Sequence, residues 1–242
     1  MKIVIAIPAR IGSTRFPRKI LAPILGKPMI QWVFEGASQS KLATDIVVAT
    51  DSEEIQEVVR GFGGTAIMTP SELQSGTDRV YYAIKDMGYD LIVNLQGDEP
   101  LIRGDILDSV ISELLITDAD IVTPYKTSRN TEEIFDENRV KIVADNKNYA
   151  LYFSRSVIPF DRERTGRVMY KIHIGIYGFK KESLARFVSL KNSKLEKIEK
   201  LEQLRALEFG MRIKLVEVDY DSVPVDVPED ILKVEEKLKR SF

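Results

Sequence analysis

Four cations crowd one short loop. Arg10, Arg15, Arg18 and Lys19 fall within ten residues, with Gly12 and the hydroxyls of Ser13 and Thr14 between them. A polyphosphate asks for this combination, because tight-loop amides and converging guanidinium groups together balance several negative charges. A solvated basic loop has the same composition. What favours a ligand is position, since the loop follows the apolar run Ile3–Ile7, and ligands of open α/β sheets bind where strands end. The loop matches neither the P-loop pattern nor the glycine fingerprint of dinucleotide-binding proteins. Two further segments carry carboxylates. Gln96-Gly97-Asp98-Glu99-Pro100 closes the run Asp90–Gln96, and an aspartate there can hold Mg²⁺ against phosphate oxygens or cap the following turn. Pro224-Val225-Asp226-Val227-Pro228-Glu229-Asp230 holds Asp226 between two prolines; Asp226 could share a cation with Asp98, or the segment could simply start a helix, a role that suits Asp230 better.

The elements that must position these residues alternate in the first half as a parallel sheet with crossover helices does. After Ile3–Ile7, Pro28 opens a helix running to about Gln39; Asp45–Thr50 is a strand, and Asp51 and Ser52 cap a helix over Glu53–Arg60. Thr65–Thr69 is a short strand, Thr77–Met87 a helix, and Asp90–Gln96 is apolar enough to be central. The second half reads as antiparallel strands mixed with helices: strands at Ile121–Lys126, Val140–Ala144, Tyr149–Phe153 and Arg212–Val218, and a closing helix at Asp230–Lys239. Alternation predicts one strand over Tyr170–Phe179, with Tyr170, Ile172, Ile174 and Ile176 on one face and Lys171, His173, Gly175 and Tyr177 on the other. Leu195–Phe209 is predicted as one helix ended by Gly210. With no repeat or Pro/Gly linker, residues 1–242 are expected to form a single α/β domain, with approximate halves 1–120 and 121–242.

Composition removes several function classes. The 35 Lys+Arg against 37 Asp+Glu leave a net charge of -2, which argues against a nucleic-acid or membrane partner and makes any anion site local. Zero cysteines exclude disulfides, thiol nucleophiles and Cys-ligated metals, and a single histidine, His173, weakens Ser-His-Asp hydrolysis and His-rich metal sites. No run approaches the ~18 apolar residues of a bilayer span, so a soluble, cytoplasmic protein is expected.

PARIGSTRFPRK, QSGTDR, NLQGDEP, ALYFSRSVIPFDR, HIGIYGF, LEKIEKLEQLRALEFG and VPVDVPEDI occur in this order. Together they cover Met1 to about Val234 and resemble the sugar-activating cytidylyltransferases, in particular the 3-deoxy-manno-octulosonate (Kdo) cytidylyltransferase, or CMP-Kdo synthetase, family. Ile11 and Phe16 depart mildly from the family pattern, and the loop between Arg164 and Tyr170 is short. The resemblance implies a Rossmann-like, glycosyltransferase-A-like mixed sheet flanked by helices, with a CTP-binding first half and a smaller antiparallel sugar-binding and dimerisation portion. It implies that CTP and Kdo give CMP-Kdo and diphosphate with Mg²⁺, for lipopolysaccharide synthesis, in a homodimer.

By carry-over, Arg10, Arg15, Lys19, Asp98 and Asp226 would be catalytic, with Asp98 and Asp226 on the metal. Pro8, Ala9, Arg10, Ser13, Thr14, Arg15, Lys19, Gln74, Ser75, Gly76, Arg79 and Asp98 would bind CTP. Gln96, Arg155, Arg162, His173, Tyr177, Glu202 and Gln203 would bind the sugar, whose carboxylate calls for guanidinium and whose hydroxyls call for amide, carboxylate and imidazole. No residue stands out as a general base. Alternatives are a CMP-sugar synthetase for sialic acid or amino-Kdo, and a catalytically silent nucleotide-binding regulator.

Overall fold

The computed structural model describes residues 1–12 and 16–241, so Ser13, Thr14 and Arg15 lie outside the described residues. The parallel half is built from β1 (Ile3–Ala9), a 3-10 turn (Lys19–Leu21), a hairpin of β2 (Pro23–Ile24) and β3 (Lys27–Pro28), α1 (Met29–Ala37), β4 (Asp45–Thr50), α2 (Glu53–Gly61), β5 (Thr65–Met68), α3 (Gly76–Ile84), β6 (Leu91–Leu95) and α4 (Gly104–Ile116). There follow β7 (Ile121–Ser128), α5 (Thr131–Phe135), β8 (Lys141–Ala144), β9 (Ala150–Ser154), β10 (Tyr170–His173), β11 (Ile176–Lys180), α6 (Lys181–Ser189), α7 (Lys194–Glu199), α8 (Gln203–Glu208), β12 (Ile213–Glu217) and α9 (Glu229–Ser241).

Among the described residues the main sheet runs β5-β4-β1-β6-β11-β7-β10-β8-β9, with β12 beside β7. β5, β4, β1 and β6 are mutually parallel, β11 is antiparallel to both β6 and β7, and β10, β8 and β9 continue antiparallel. The result is a mixed α/β fold with helices on both faces. β1 shows why: Ile3, Ile5 and Ile7 enter one core with residues of α1, α2, α4 and α9, while Val4 and Ala6 enter a second core with residues of α3, α6 and α8. A strand buried on both faces must be apolar throughout, as IVIAIPA is. No helix among the described residues is long and apolar enough to cross a membrane.

Three readings need correction. Tyr170–Phe179 is two strands, because the chain steps out of register at Ile174-Gly175; β10 pairs Tyr170 with Ser128 and β11 pairs Gly178 with Val122 on the same neighbour. Ile176 and Tyr177, consecutive in β11, enter opposite cores, with both side chains buried. The helix over Leu195–Phe209 is broken: Lys200 adopts φ +55°, and α8 starts afresh after Leu201-Glu202. Finally, β12 runs parallel to β7, not antiparallel. α4, α5 and α6 add helices beyond those read from the pattern.

Candidate active site

β1 and β6 are adjacent and parallel, so their carboxyl ends open side by side. Their connection is close enough to require glycine: a Cβ on Gly97 would lie 3.0 Å from the Pro8 carbonyl oxygen and 2.9 Å from Ile20 Cδ1. A cavity of about 290 Å³ opens there, lined by Pro8, Ala9, Arg10, Lys19, Gln74, Ser75, Gly76, Arg79, Gln96, Asp98 and Asp226 among others. Every described residue of the expected nucleotide set is present. A larger, more open cavity of about 940 Å³ is lined by Gln96, Arg155, His173, Tyr177, Glu202 and Gln203. The two share Gly76, Gln96, Asp98 and Asp226.

At this shared floor Lys19 Nζ lies 2.7 Å from Asp98 Oδ2 and 3.6 Å from Asp226 Oδ1. The helix-start role is filled by Asp230, whose carboxylate accepts the Asp226 and Val227 amides at 3.0 and 3.2 Å. Burial is the largest influence on the Asp230 carboxyl and raises it, but Lys233 and these amides together hold it below the usual range. Two carboxylates bracketing one cation are a hard-oxygen arrangement. Mg²⁺ is an ion that one or two carboxylates plus substrate phosphates can hold, and among the described residues no cluster of three or more potential ligands exists. Of the loop cations, Arg10 is exposed at the first cavity, whereas Arg18 turns away to Glu54.

The wall of the smaller cavity is fixed by α3. Ser75 and Asp78 form a capping box, with Asp78 N donating to Ser75 Oγ at 3.0 Å, which holds Gly76 at the cavity wall. Arg79 is buried and its guanidinium serves the protein: it donates to Asp51 Oδ2 at 2.9 Å, to the Pro70 carbonyl and to Thr69. Asp51 also accepts the Ile11 amide at 3.3 Å, so it ties the basic loop to α3. Arg79 therefore shapes the pocket wall, and Asp51, read from the sequence only as a cap, is its partner.

A polar chain runs from Gln96, which lines both cavities, to Glu202 at the larger one. Gln96 Nε2 donates to Asn94 Oδ1 (3.3 Å), Asn94 Nδ2 to Thr77 Oγ1 (3.0 Å), and Thr77 Oγ1 to Glu202 Oε1 (2.5 Å). Burial raises the Glu202 carboxyl, opposed by the Thr77 bond and by Arg205. α7 and α8 are joined across the Lys200 break by Arg205, which grips Glu196 with Nε at 2.9 Å and Nη2 at 2.5 Å and so sets Glu202 and Gln203 at the cavity. Gln203 Nε2 is buried with no hydrogen-bond partner in the described protein, an orphan donor on a cavity wall.

His173 packs edge-on to Phe153 (5.2 Å between centroids) and against Tyr177 (5.4 Å). Burial drives its imidazole down to about 3, so it is neutral. Its Nε2 lies 2.9 Å from Thr123 Oγ1, whose single proton goes to the Ile176 carbonyl at 2.8 Å. With that proton on the carbonyl, Nε2 donates and Nδ1 is left as an acceptor; Thr123, the partner in this bond, was not legible as a site residue. Burial likewise pushes the Tyr177 hydroxyl well up, aided by Glu202.

Arg155 and Arg162 fare differently. Arg155 lines the cavity but gives Nε to the Glu199 carbonyl (2.8 Å) and Nη1 to that of Glu137 (2.9 Å). Arg162 is exposed, in a turn, and lines neither cavity. Arg139 lines the larger cavity, and its guanidinium makes no hydrogen bond or ion pair with a described residue. No sequence signal marked it, because its place depends on the turn before β8. Lys141 fixes that turn: its buried ammonium, lowered by burial, donates to the carbonyls of Asp136 (2.9 Å) and Arg139 (2.5 Å).

Residues 3–213 match the family model described as cytidylyltransferase. The chain is 49% identical over 243 residues to the 8-amino-3,8-dideoxy-manno-octulosonate cytidylyltransferase of Shewanella baltica (strain OS155), covering 98% of this chain and 99% of that one. It is 47% identical over 256 residues to the 3-deoxy-manno-octulosonate cytidylyltransferase of Thermodesulfovibrio yellowstonii, covering all of both. A solved CMP:2-keto-3-deoxy-manno-octonic acid synthetase complexed with CTP superposes with a TM-score of 0.93 at 38% identity, again over both whole chains. With the paired cavities and their two aspartates, these likenesses make the chain a member of the cytidylyltransferase family.

Proposed function

We propose that this cytidylyltransferase transfers CMP from CTP to Kdo, releasing diphosphate. The observation that carries the reading is the meeting of the two cavities at Asp98 and Asp226: a nucleotide in the smaller and a sugar acid in the larger would face each other across these carboxylates. A sugar hydroxyl attacks the α-phosphorus, one P–O bond forms as the bond to diphosphate breaks, and the hydroxyl proton is released. Arg10 and Lys19 balance phosphate charge. Asp98 and Asp226 would hold Mg²⁺, which supplies charge neutralisation at the phosphates and acidifies the attacking hydroxyl. Neutral His173 offers Nδ1 to a sugar hydroxyl, Gln203 Nε2 gives its orphan donor, and Arg155 with Arg139 supplies positive charge for the sugar carboxylate.

The 8-amino sugar is the second reading, because relatives of nearly equal identity carry the two names. Diphosphate release is measured with CTP or UTP against Kdo, its 8-amino analogue and sialic acid. Preference for CTP with Kdo supports the proposal; turnover of the amino sugar with Kdo inert moves the substrate to the second reading.

A further inference from the structure

Glu99 is a buried carboxylate that the chemistry above does not use. It follows Asp98 directly, is 4% exposed, and receives three contacts from one distant segment: Tyr220 OH reaches Oε2 at 3.0 Å, and Ser222 Oγ lies 2.7 Å from Oε1 and 2.8 Å from Oε2. That segment belongs to residues 218–228, which have neither helix nor strand and deliver Asp226 to the site. A few residues on, the buried Val225 donates its amide to the Asp98 carbonyl at 3.0 Å.

Other ties to this strap lie outside. Asp221 pairs with Lys126 at 2.6 Å and with Lys237, but its side chain is 60% exposed, and exposed pairs contribute little. The Glu99 contacts are shielded from water, so solvent does not replace a lost hydrogen-bond partner. A carboxylate suits the place because its two oxygens accept from both hydroxyls at once. We infer that Glu99 is a positioning residue that clamps the Tyr220–Ser222 strap to the Asp98 turn and so sets the spacing of Asp98 and Asp226. The functional consequence rests on the role proposed above for Asp226; the clamp itself does not.

The test uses the full chain and two readouts. In Glu99→Ala, amide hydrogen exchange should quicken at residues 223–227, including Val225, with α3 and α8 unchanged. The Mg²⁺ concentration for half-maximal turnover should rise and kcat fall, each by roughly tenfold, the scale seen when a partner of a metal ligand is lost. The KM for CTP should move less than about twofold, and Glu99→Gln, which keeps one acceptor oxygen, should recover most of the loss. Should Glu99→Ala fail to fold, the pair Tyr220→Phe and Ser222→Ala removes the donors and keeps the carboxylate. In an Asp226→Asn background the clamp variants should add little. Unchanged exchange at 223–227, or effects that multiply fully with Asp226→Asn, overturns the clamp. An Asp226→Asn enzyme with an unaltered Mg²⁺ profile defeats instead the proposed role of Asp226, and the exchange measurement still decides the clamp.

Discussion

The chain has one histidine, which makes its protonation separable from everything else. Burial holds His173 at about 3 in the fold, against 6.5 for a solvated imidazole. A base whose folded value is depressed contributes stability that is present above the unfolded value and is lost as pH falls towards the folded one. At pH 5 the unfolded chain gains RT ln(1 + 10^1.5), about 2 kcal/mol, that the folded chain cannot match. This figure hardly changes for any folded value below about 4, since the folded imidazole is then still neutral at pH 5. His173→Phe is the perturbation: the ring fits beside Phe153 and Tyr177, cannot titrate, and leaves Thr123 bonded to the Ile176 carbonyl. Urea unfolding at pH 8 and pH 5 should show the wild type losing about 2 kcal/mol relative to the variant. The comparison must be between proteins, because Glu99, pushed up to about 7 by burial against its hydroxyl partners, runs the other way and gains stability as pH falls from about 7 towards 4.5. Proton NMR gives a direct reading, since the one imidazole signal should stay at its neutral position from pH 8 to 5. A titration centred near 6.5, or parallel pH dependence of the two proteins, refutes the reasoning.

Asp98→Asn and Asp226→Asn should each lower kcat by several kcal/mol of transition-state stabilisation and raise the Mg²⁺ requirement, and their effects should be non-additive; turnover against Mg²⁺ for both singles and the double checks this. Lys19→Ala should cost on the order of 10² to 10³ in kcat/KM, as loss of one preorganised donor does, with the thermal midpoint recorded to show that the fold persists. Arg139→Ala should raise the sugar KM with the CTP KM steady while Arg162→Ala does neither, and steady-state kinetics with each substrate varied would show an error if the two arginines exchanged behaviour. Asp51→Ala strands the buried Arg79 guanidinium, so an unfolding free energy lower by roughly 3 kcal/mol is expected together with weaker CTP binding.

The elements legible in the sequence are those whose burial is uniform. DIVVAT and LIVNL read as strands because both faces are covered, and Ser52 announces a helix start by its capping side chain. Breaks were illegible where no residue type marks them. Lys200 takes a left-handed backbone without being glycine or asparagine, and the register step at Ile174-Gly175 preserves the alternation of residue types across it. α4 starts at Arg103, which makes no side-chain cap, although Ile106, Leu107, Val110, Ile111 and Leu114 keep a helical period. The site divides along the same line. A residue at a strand end, such as Asp98, follows from local order, whereas choosing between Arg139 and Arg162 depends on the turns at 136–139 and 161–169, which only tertiary contacts such as Lys141 settle.

Lys19 holds together the point where the two unlike cavities meet. Asp98 and Asp226 come from remote segments, and two carboxylates aimed at one point repel. An ammonium at about 3 Å, with an effective dielectric constant near 20, offers roughly 5 kcal/mol of gross attraction to each, enough to hold them while desolvation takes back part of the gain. Under the proposed reading the same ammonium is wanted by the triphosphate, and it cannot serve both fully. As phosphate oxygens draw Lys19 away, the carboxylates are left short of positive charge, which is the condition under which they bind a divalent cation best. Before that, Lys19 competes for the same oxygens and holds cation affinity down. Under that reading nucleotide and Mg²⁺ would be coupled through one side chain, each favouring the other's binding by the same factor, with the carboxylates gaining affinity for metal as phosphate draws Lys19 away.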